Sequence, residues 1–233
     1  MAVVTPQKRT AMHHAHASGG GVFVERDGWQ LPSTYSSVGE ELQIARSAAG
    51  LCDISPTGKL LVQGQGLQEM FWRQFGFEWI RGRAGRVEAG VPYGVTAAIL
   101  TEDEVLLLAQ PSEVAAVFGS LTERLEGCAH LVDVTSSYAG IQIVGPRNHR
   151  LLAKLAELDL DPAVFEDGSC VQGKAAEVHV LVLRSDLKNL LSYELYVTRD
   201  FGEYMWNALL HAGRSEGAGP IGVEAMDKLT AGS

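Results

Sequence analysis

The chain has 233 residues, 46% of them apolar and 20% charged, a globular composition that excludes disorder for the bulk of the sequence. At about 100 to 200 residues per domain, the length predicts one large domain or two small ones sharing an interface. The 19 Lys and Arg against 28 Asp and Glu give a net charge of −9. An acidic surface repels phosphate backbones and anionic lipid, so neither nucleic acid nor membrane is expected as a partner.

Cys52, Cys128 and Cys170 lie far apart with no CxxC pair, a pattern of neither a disulfide framework nor a thiolate metal cage, and they read as reduced thiols of a cytoplasmic protein. The opening MAVVTPQKRTAMHHAHASGGG lacks the apolar stretch of a signal peptide. Apolar runs such as VLLLA and VHVLVL fall far short of the roughly 20 residues that span a bilayer. The expectation is a soluble cytoplasmic protein.

In chain order, residues 1–36 show no clear period and read as an N-terminal extension, with Ser18 to Gly21 as a turning segment. The packed fold is expected to begin after it. Ser37 and Glu40 stand at capping-box spacing, and Leu42, Ala45, Ala48 and Ala49 recur at helical spacing up to Gly50, which reads as the C′ residue. KLLVQG predicts a strand, LQEMFWRQF a helix with Leu67, Met70, Phe71 and Phe75 on one face, and GVTAAIL and EVLLLAQ two strands joined through Glu102 and Asp103. A helix from about Ser112 to Glu126 and the strand HLVDVT complete a first unit. The order then recurs: GIQIVG as strand, HRLLAKLAEL as helix, VHVLVLR and YELYVT as strands, FGEYMWNALLHAG as helix. The expected fold is α+β, two tandem split βαβ (ferredoxin-like) halves, 37–138 and 139–233, around a central cleft that holds the site.

Gly64-Gln65-Gly66 follows a strand and opens a helix, but Glu69 occupies the third position of a dinucleotide fingerprint and would oppose a pyrophosphate; a plain turn is expected. His13 and His16 at i, i+3 spacing can share a helix face, yet neither carboxylate nor cysteine joins them nearby, so a solvated first turn is expected and no metal. Neither a GxSxG elbow nor an HExxH helix occurs, which leaves hydrolase chemistry unsupported. Asp159, Asp161, Glu166 and Asp167 read as a solvated acidic loop. Glu194 alternates with Tyr193 and Leu195 inside an apolar strand. It points either into a cleft or to solvent from a half-exposed strand.

Several segments together resemble the glycine cleavage T-protein family, the folate-dependent aminomethyltransferases. His13 to Tyr35 is similar to an LHxxH segment followed by FxGWxxPxxY. EELQIARSAAGLCDISPTGKLLVQG resembles EExxxxRxxAGLFDVSHMGKxxVxG, with Glu40, Arg46, Gly50, Asp53, Ser55, Gly58, Lys59 and Gly64 in matching positions. IVGPRNHRLLAKL resembles GPxAxxLLxxL, YELYVTRDFGEYMWNALLHAG resembles GFEIxVPxxxAxxLWxxLLxAG, and GPIGVEAMDKL resembles GLGARDxLRLE. The resemblance implies a tetrahydrofolate-binding, T-protein-like unit of two α+β halves around a hole, corresponding to the N-terminal part of the family without its C-terminal barrel.

Carried position by position, the family's pterin contact, the Glu of GFEI, falls on Glu194, where one carboxylate accepts the adjacent N–H and amino donors of a pterin. The pterin-side Tyr of RTGYTGEDGFE falls on Leu187. The catalytic Asp stretch GGIxDDLxV falls on Ala89 to Val95, where Tyr93 and Gly94 replace both aspartates; Tyr93 then belongs to the folate side of the site. The Arg of ARDxLRLE becomes Met226 or Thr230. The resemblance thus implies folate binding with a degenerate catalytic site, with a carrier protein or larger enzyme subunits as partners. The alternative it offers is a non-catalytic subunit of a heteromeric oxidase, like the small T-protein-like subunit of sarcosine oxidases. Folate-binding iron–sulfur-assembly factors of the same superfamily carry KGCYxGQE, whereas Cys170 here lies in GSCVQGK.

Overall fold

The computed structural model describes residues 8–87, 94–125, 127 and 129–231. The chain opens with β1 (Lys8–Arg9), α1 (His13–Ser18) and the hairpin of β2 (Val22–Arg26) and β3 (Trp29–Thr34). Helix α2 (Val38–Ser47) leads into β4 (Gly50–Asp53) and β5 (Gly58–Gln63). Then come α3 (Leu67–Phe75), β6 (Ala84–Val87), β7 (Val95–Thr101), β8 (Glu104–Ala109), α4 (Val114–Leu125) and β9 (His130–Asp133). The remainder is β10 (Tyr138–Val144), α5 (Asn148–Leu152), β11 (Cys170–Ala175), β12 (Val178–Arg184), β13 (Ser192–Thr198), α6 (Gly202–Gly213), β14 (Gly219–Pro220) and α7 (Val223–Ala231).

The strands form three sheets, ordered β1-β3-β2, β11-β12-β13-β10-β4-β14 and β6-β7-β8-β5-β9. Pairing is antiparallel apart from β1 with β3 and β4 with β14. Side-chain alternation sorts the two larger sheets into inner and outer faces. Leu60, Val62, Ala97, Ile99, Val105 and Leu107 pack outward against Phe71, Phe75, Val117 and Leu121 of α3 and α4. Ile141, Ile143, Val180, Val182, Tyr193 and Leu195 pack outward against Met205, Trp206 and Leu209 of α6. The intervening residues Ala98, Leu106 and Leu108 of one sheet meet Leu181, Leu183 and Tyr196 of the other. The layers therefore run helices, sheet, sheet, helices, and the site sits in the gap between the sheets.

Local chemistry sets the element ends. Ser37 Oγ accepts the Glu40 N–H at 3.2 Å, and the Glu40 carboxylate accepts the Ser37 N–H at 3.1 Å, the reciprocal pair that starts α2. Helix α3 is bracketed by Gly66 (φ 71°) and Gly76 (φ 65°), both left-handed; the Gly64-Gln65-Gly66 stretch is the strand-to-helix turn that the sequence predicts.

Four expectations are corrected. The packed fold begins not after residue 36 but near its described start: Met12 and His16 are 0% exposed, and Trp29 and Leu31 are buried. Strands of two to six residues are too short to show a period, which is why this segment reads as unstructured. Gly50 is not a helix cap but the first residue of β4, since α2 ends at Ser47 with Ala48 as its cap. The division at 138/139 does not hold for β4, which pairs with β10 and β14 and so belongs to the sheet of the second half. Finally, HRLLAKLAEL is helical only to Leu152: Glu157 N–H donates to Lys174 O on β11 and Ala156 bridges Ala175, so a sheet edge captures the backbone that the helix would have used.

Candidate functional site

A cleft of about 640 Å³ opens between the two larger sheets. Glu194 of β13, Leu183 of β12 and Gln142 of β10 form one wall; Thr96 of β7, Leu108 and Ala109 of β8 and Ala84 to Arg86 of β6 form the other. Ile54 and Thr57, in the turn between β4 and β5, contribute to the lining, as do Met226 and Thr230 of α7.

Alternation along β13 sends Tyr193, Leu195 and Val197 to the outer core and turns Glu194 and Tyr196 inward. The Tyr196 hydroxyl donates to Glu194 Oε2 at 2.6 Å. Burial pushes the Glu194 carboxyl above its ordinary value, and the Tyr196 hydrogen bond and the Lys59 charge draw it part of the way back. Lys59, at the start of β5, is 0% exposed. Its Nζ donates to the carbonyls of Ser55 and Thr57, both at 2.8 Å, and to that of Thr135 at 3.5 Å, and lies 5.5 Å from the centre of the Tyr196 ring. Burial lowers the ammonium to about 8, against the opposing pull of Asp53, Asp133 and Glu194. Directly opposite Glu194 in the β10–β13 register, Gln142 donates from Nε2 to Ser192 Oγ at 2.9 Å.

The rim beside Glu194 is fixed by a forked ion pair. Arg184 Nε and Nη2 donate to Asp186 Oδ1 and Oδ2 at 3.1 and 2.7 Å, while Nη1 reaches the carbonyls of Pro162 and Phe165. The Asp186 carboxylate also accepts the Ser192 N–H at 3.1 Å, and the Asp186 N–H donates to Asp167 Oδ1 at 2.9 Å. These bonds hold the segment that carries Leu187 against the cleft. A half-buried carboxylate beside an amide and an apolar wall suits a flat heteroaromatic ligand with adjacent N–H donors.

Glu194, Leu187 and Gly94 all line this cleft, as do Met226 and Thr230. Tyr93 lies outside the described residues. Gly94 is exposed with φ 56°. The solvated first turn expected of the histidines is corrected for His16: its Nε2 lies 2.9 Å from Asp53 Oδ2, with both side chains 0% exposed. Tyr35 Oη lies 2.7 Å from His16 Nδ1, and the ring packs edge-on to Trp206 at 4.6 Å. Sequence reasoning missed His16, whose partner is 37 positions away, and it gave no role to Gln142, Lys59 or Arg184. Gln142 and Lys59 did carry a signal, as lone polar residues in the otherwise apolar runs GIQIVG and GKLLV.

The model of the GCVT N-terminal domain matches residues 12–232. The chain belongs to this family. The aminomethyltransferase of Geobacillus thermodenitrificans is 31% identical over 233 residues, covering 95% of this chain and 63% of the relative. This GCVT-type chain therefore spans under two thirds of the length of that relative. The glycine cleavage system aminomethyltransferase T from Bartonella henselae has a similar fold, with a TM-score of 0.83 at 20% identity over 96% of this chain and 62% of that one. A chain of the heterotetrameric sarcosine oxidase from Corynebacterium sp. U-96, solved with pyrrole 2-carboxylate, has a TM-score of 0.67 at 18% identity over 91% of this chain and 97% of that one. Among the described residues, no helix is long and apolar enough to cross a membrane.

Proposed function

We propose that this GCVT-type chain binds a reduced folate, tetrahydrofolate or a derivative, in the cleft between its two sheets, as a T-protein-like unit whose aminomethyl-transfer site is degenerate. The observation that carries this reading is Glu194, an inward carboxylate with one oxygen held by Tyr196 in a cleft large enough for a pterin. A pterin presents a ring N–H beside an amino group, and a carboxylate accepts both. Gln142 and the segment Arg184–Leu187 frame the same position. Bound folate supplies nitrogens that carry a one-carbon unit, and the chain's own part is to hold and orient the ring. The strand order β7-β8-β5-β9, with α3 and α4 as the crossovers, supports reading that sheet as a split βαβ half.

Tyr93 and Gly94, at the positions that resemble the family's aspartates, offer no carboxylate where positive charge develops during aminomethyl transfer. A second reading, as a non-catalytic subunit of a larger assembly, is favoured by exposed apolar residues beside α3: Trp72 is 57% and Ile80 67% exposed, next to a groove lined by Phe77. Calorimetry with 5-formyltetrahydrofolate tests the first reading. The expected result is saturable binding that Glu194→Ala weakens by about 1.5 to 3 kcal/mol. No binding by the unmodified chain overturns it and leaves the subunit reading.

A further inference from the structure

Lys59 stands out because its charge is buried and its hydrogen bonds go to main-chain oxygen rather than to a carboxylate. The ammonium holds the carbonyls of Ser55 and Thr57, and Thr57 and its neighbour Ile54 both line the cleft. Its other face meets the ring of Tyr196, whose hydroxyl is committed to Glu194. One cation thereby touches the turn that lines the cleft and, through the Tyr196 ring, the residue that holds Glu194. Other charges around it are already engaged: Asp53 by His16 and the Ser55 N–H, and Asp133 by the Thr135 N–H.

We propose that Lys59 is a positioning residue of the folate cleft, a buried counter-charge that keeps the Tyr196–Glu194 pair and the Ile54–Thr57 turn in the ligand-accepting arrangement. The inference rests on the folate reading of the cleft. A neutral side chain at 59 leaves Glu194 with burial opposed only by the Tyr196 hydrogen bond, so the carboxylate gives up its charge at a higher pH. The groups facing Lys59 are Asp53 of β4, Asp133 of β9, and Glu194 and Tyr196 of β13. The charged groups sharing the cleft with Glu194 are Arg86, Asp167, Arg184 and Asp186. Lys59 itself titrates near 8. Burial raises the Tyr196 phenol well above its usual range, which leaves Lys59 as the member of the pair's surroundings that loses charge just above neutrality.

The test is calorimetric binding of 5-formyltetrahydrofolate from pH 5.5 to 9.5 by the full chain and by Lys59→Met, with circular dichroism to establish folding. The unmodified chain should lose affinity as pH rises through about 8. Lys59→Met should lack that alkaline limb and bind about tenfold more weakly at the acid end of the range, with the deficit narrowing as pH rises, because loss of the counter-charge moves Glu194 further toward its neutral form. A purely structural role would lower affinity by the same factor at every pH. Superimposable or parallel profiles in a folded variant overturn the inference and leave the folate reading standing. If the variant does not fold, the unmodified chain decides: a flat profile between pH 7 and 9.5 overturns the role of Lys59. Absence of binding by the unmodified chain at any pH overturns the folate reading, and the inference falls with it.

Discussion

Replacing His16 by Phe isolates the contribution of the chain Tyr35–His16–Asp53. A phenyl ring keeps the edge-on packing against Trp206 at 4.6 Å and removes both hydrogen bonds, at 2.7 and 2.9 Å. Two groups are then unpaired: the half-buried Tyr35 hydroxyl and the fully buried Asp53 Oδ2. An orphaned neutral group costs about 1 to 3 kcal/mol and a charged one more, so His16→Phe should lose about 3 to 5 kcal/mol. At about 2 to 4 °C per kcal/mol for a chain of this size, Tm should fall by roughly 6 to 20 °C. The pH dependence gives a second reading. Burial acts to raise the Asp53 carboxyl, but the hydrogen bonds from His16 and Ser55 outweigh it and hold the group below its usual value. A carboxyl lowered by folding contributes stability above its unfolded pKa of about 4 and loses it as pH falls through the folded value. Without His16 the burial effect dominates, Asp53 accepts a proton readily, and the deficit of the variant should narrow as pH falls from 7 to 3.5. Urea denaturation followed by circular dichroism measures both. A deficit under about 1 kcal/mol, or one independent of pH, would refute the reasoning.

Three further outcomes are expected. The unmodified chain should transfer aminomethyl groups to tetrahydrofolate roughly 100-fold to 1000-fold more slowly than an ordinary T-protein, since a preorganised charge of that kind contributes about 2.7 to 4 kcal/mol; a coupled assay beside Tyr93→Asp decides, and full-rate turnover by the unmodified chain contradicts it. Gly145→Ala should destabilise by at least about 2 kcal/mol, because φ is 139° and an added Cβ would sit 2.5 Å from the carbonyl oxygens of both Ala45 and Ala48; an unchanged thermal midpoint removes that argument. Cys52 and Cys170 are buried and their thiols are pushed up, that of Cys170 to about 11, so mass spectrometry after iodoacetamide treatment at pH 7.5 should find neither modified until the protein is unfolded.

The sequence made legible what repeats along it. Helix α2 follows from its capping box, and the inner strands and α3, α4 and α6 follow from their apolar runs and periods, a signal that the six residues of β3, interrupted by Pro32, do not carry. Strands β1, β4 and β14 have two to four residues and exist only through distant pairing, so no local pattern marks them. At the site, alternation left Glu194 undecided between cleft and solvent. Gln142, its register partner on β10, and the Lys59 charge on the other sheet are both far away in the chain; strand pairing brings the first near and packing of the two sheets the second. His16 was unreadable for a related reason: a histidine is satisfied or solvated according to whether a partner such as Asp53 arrives from elsewhere.

The placement of β4 bears on how the chain can be divided and in what order it assembles. Residues 50–53 pair with β10 on one edge and with β14, at residues 219–220, on the other. During synthesis this strand emerges long before either neighbour, so its backbone groups await partners about 90 and 170 residues downstream, a loop-closure delay that slows sheet completion. A fragment cut at 138 would strand β4 with both edges bare, and the complementary fragment would lack the strand between β10 and β14. The two larger sheets are thus sewn together by one early segment, and they are expected to gain native structure in a single cooperative step rather than as separable modules.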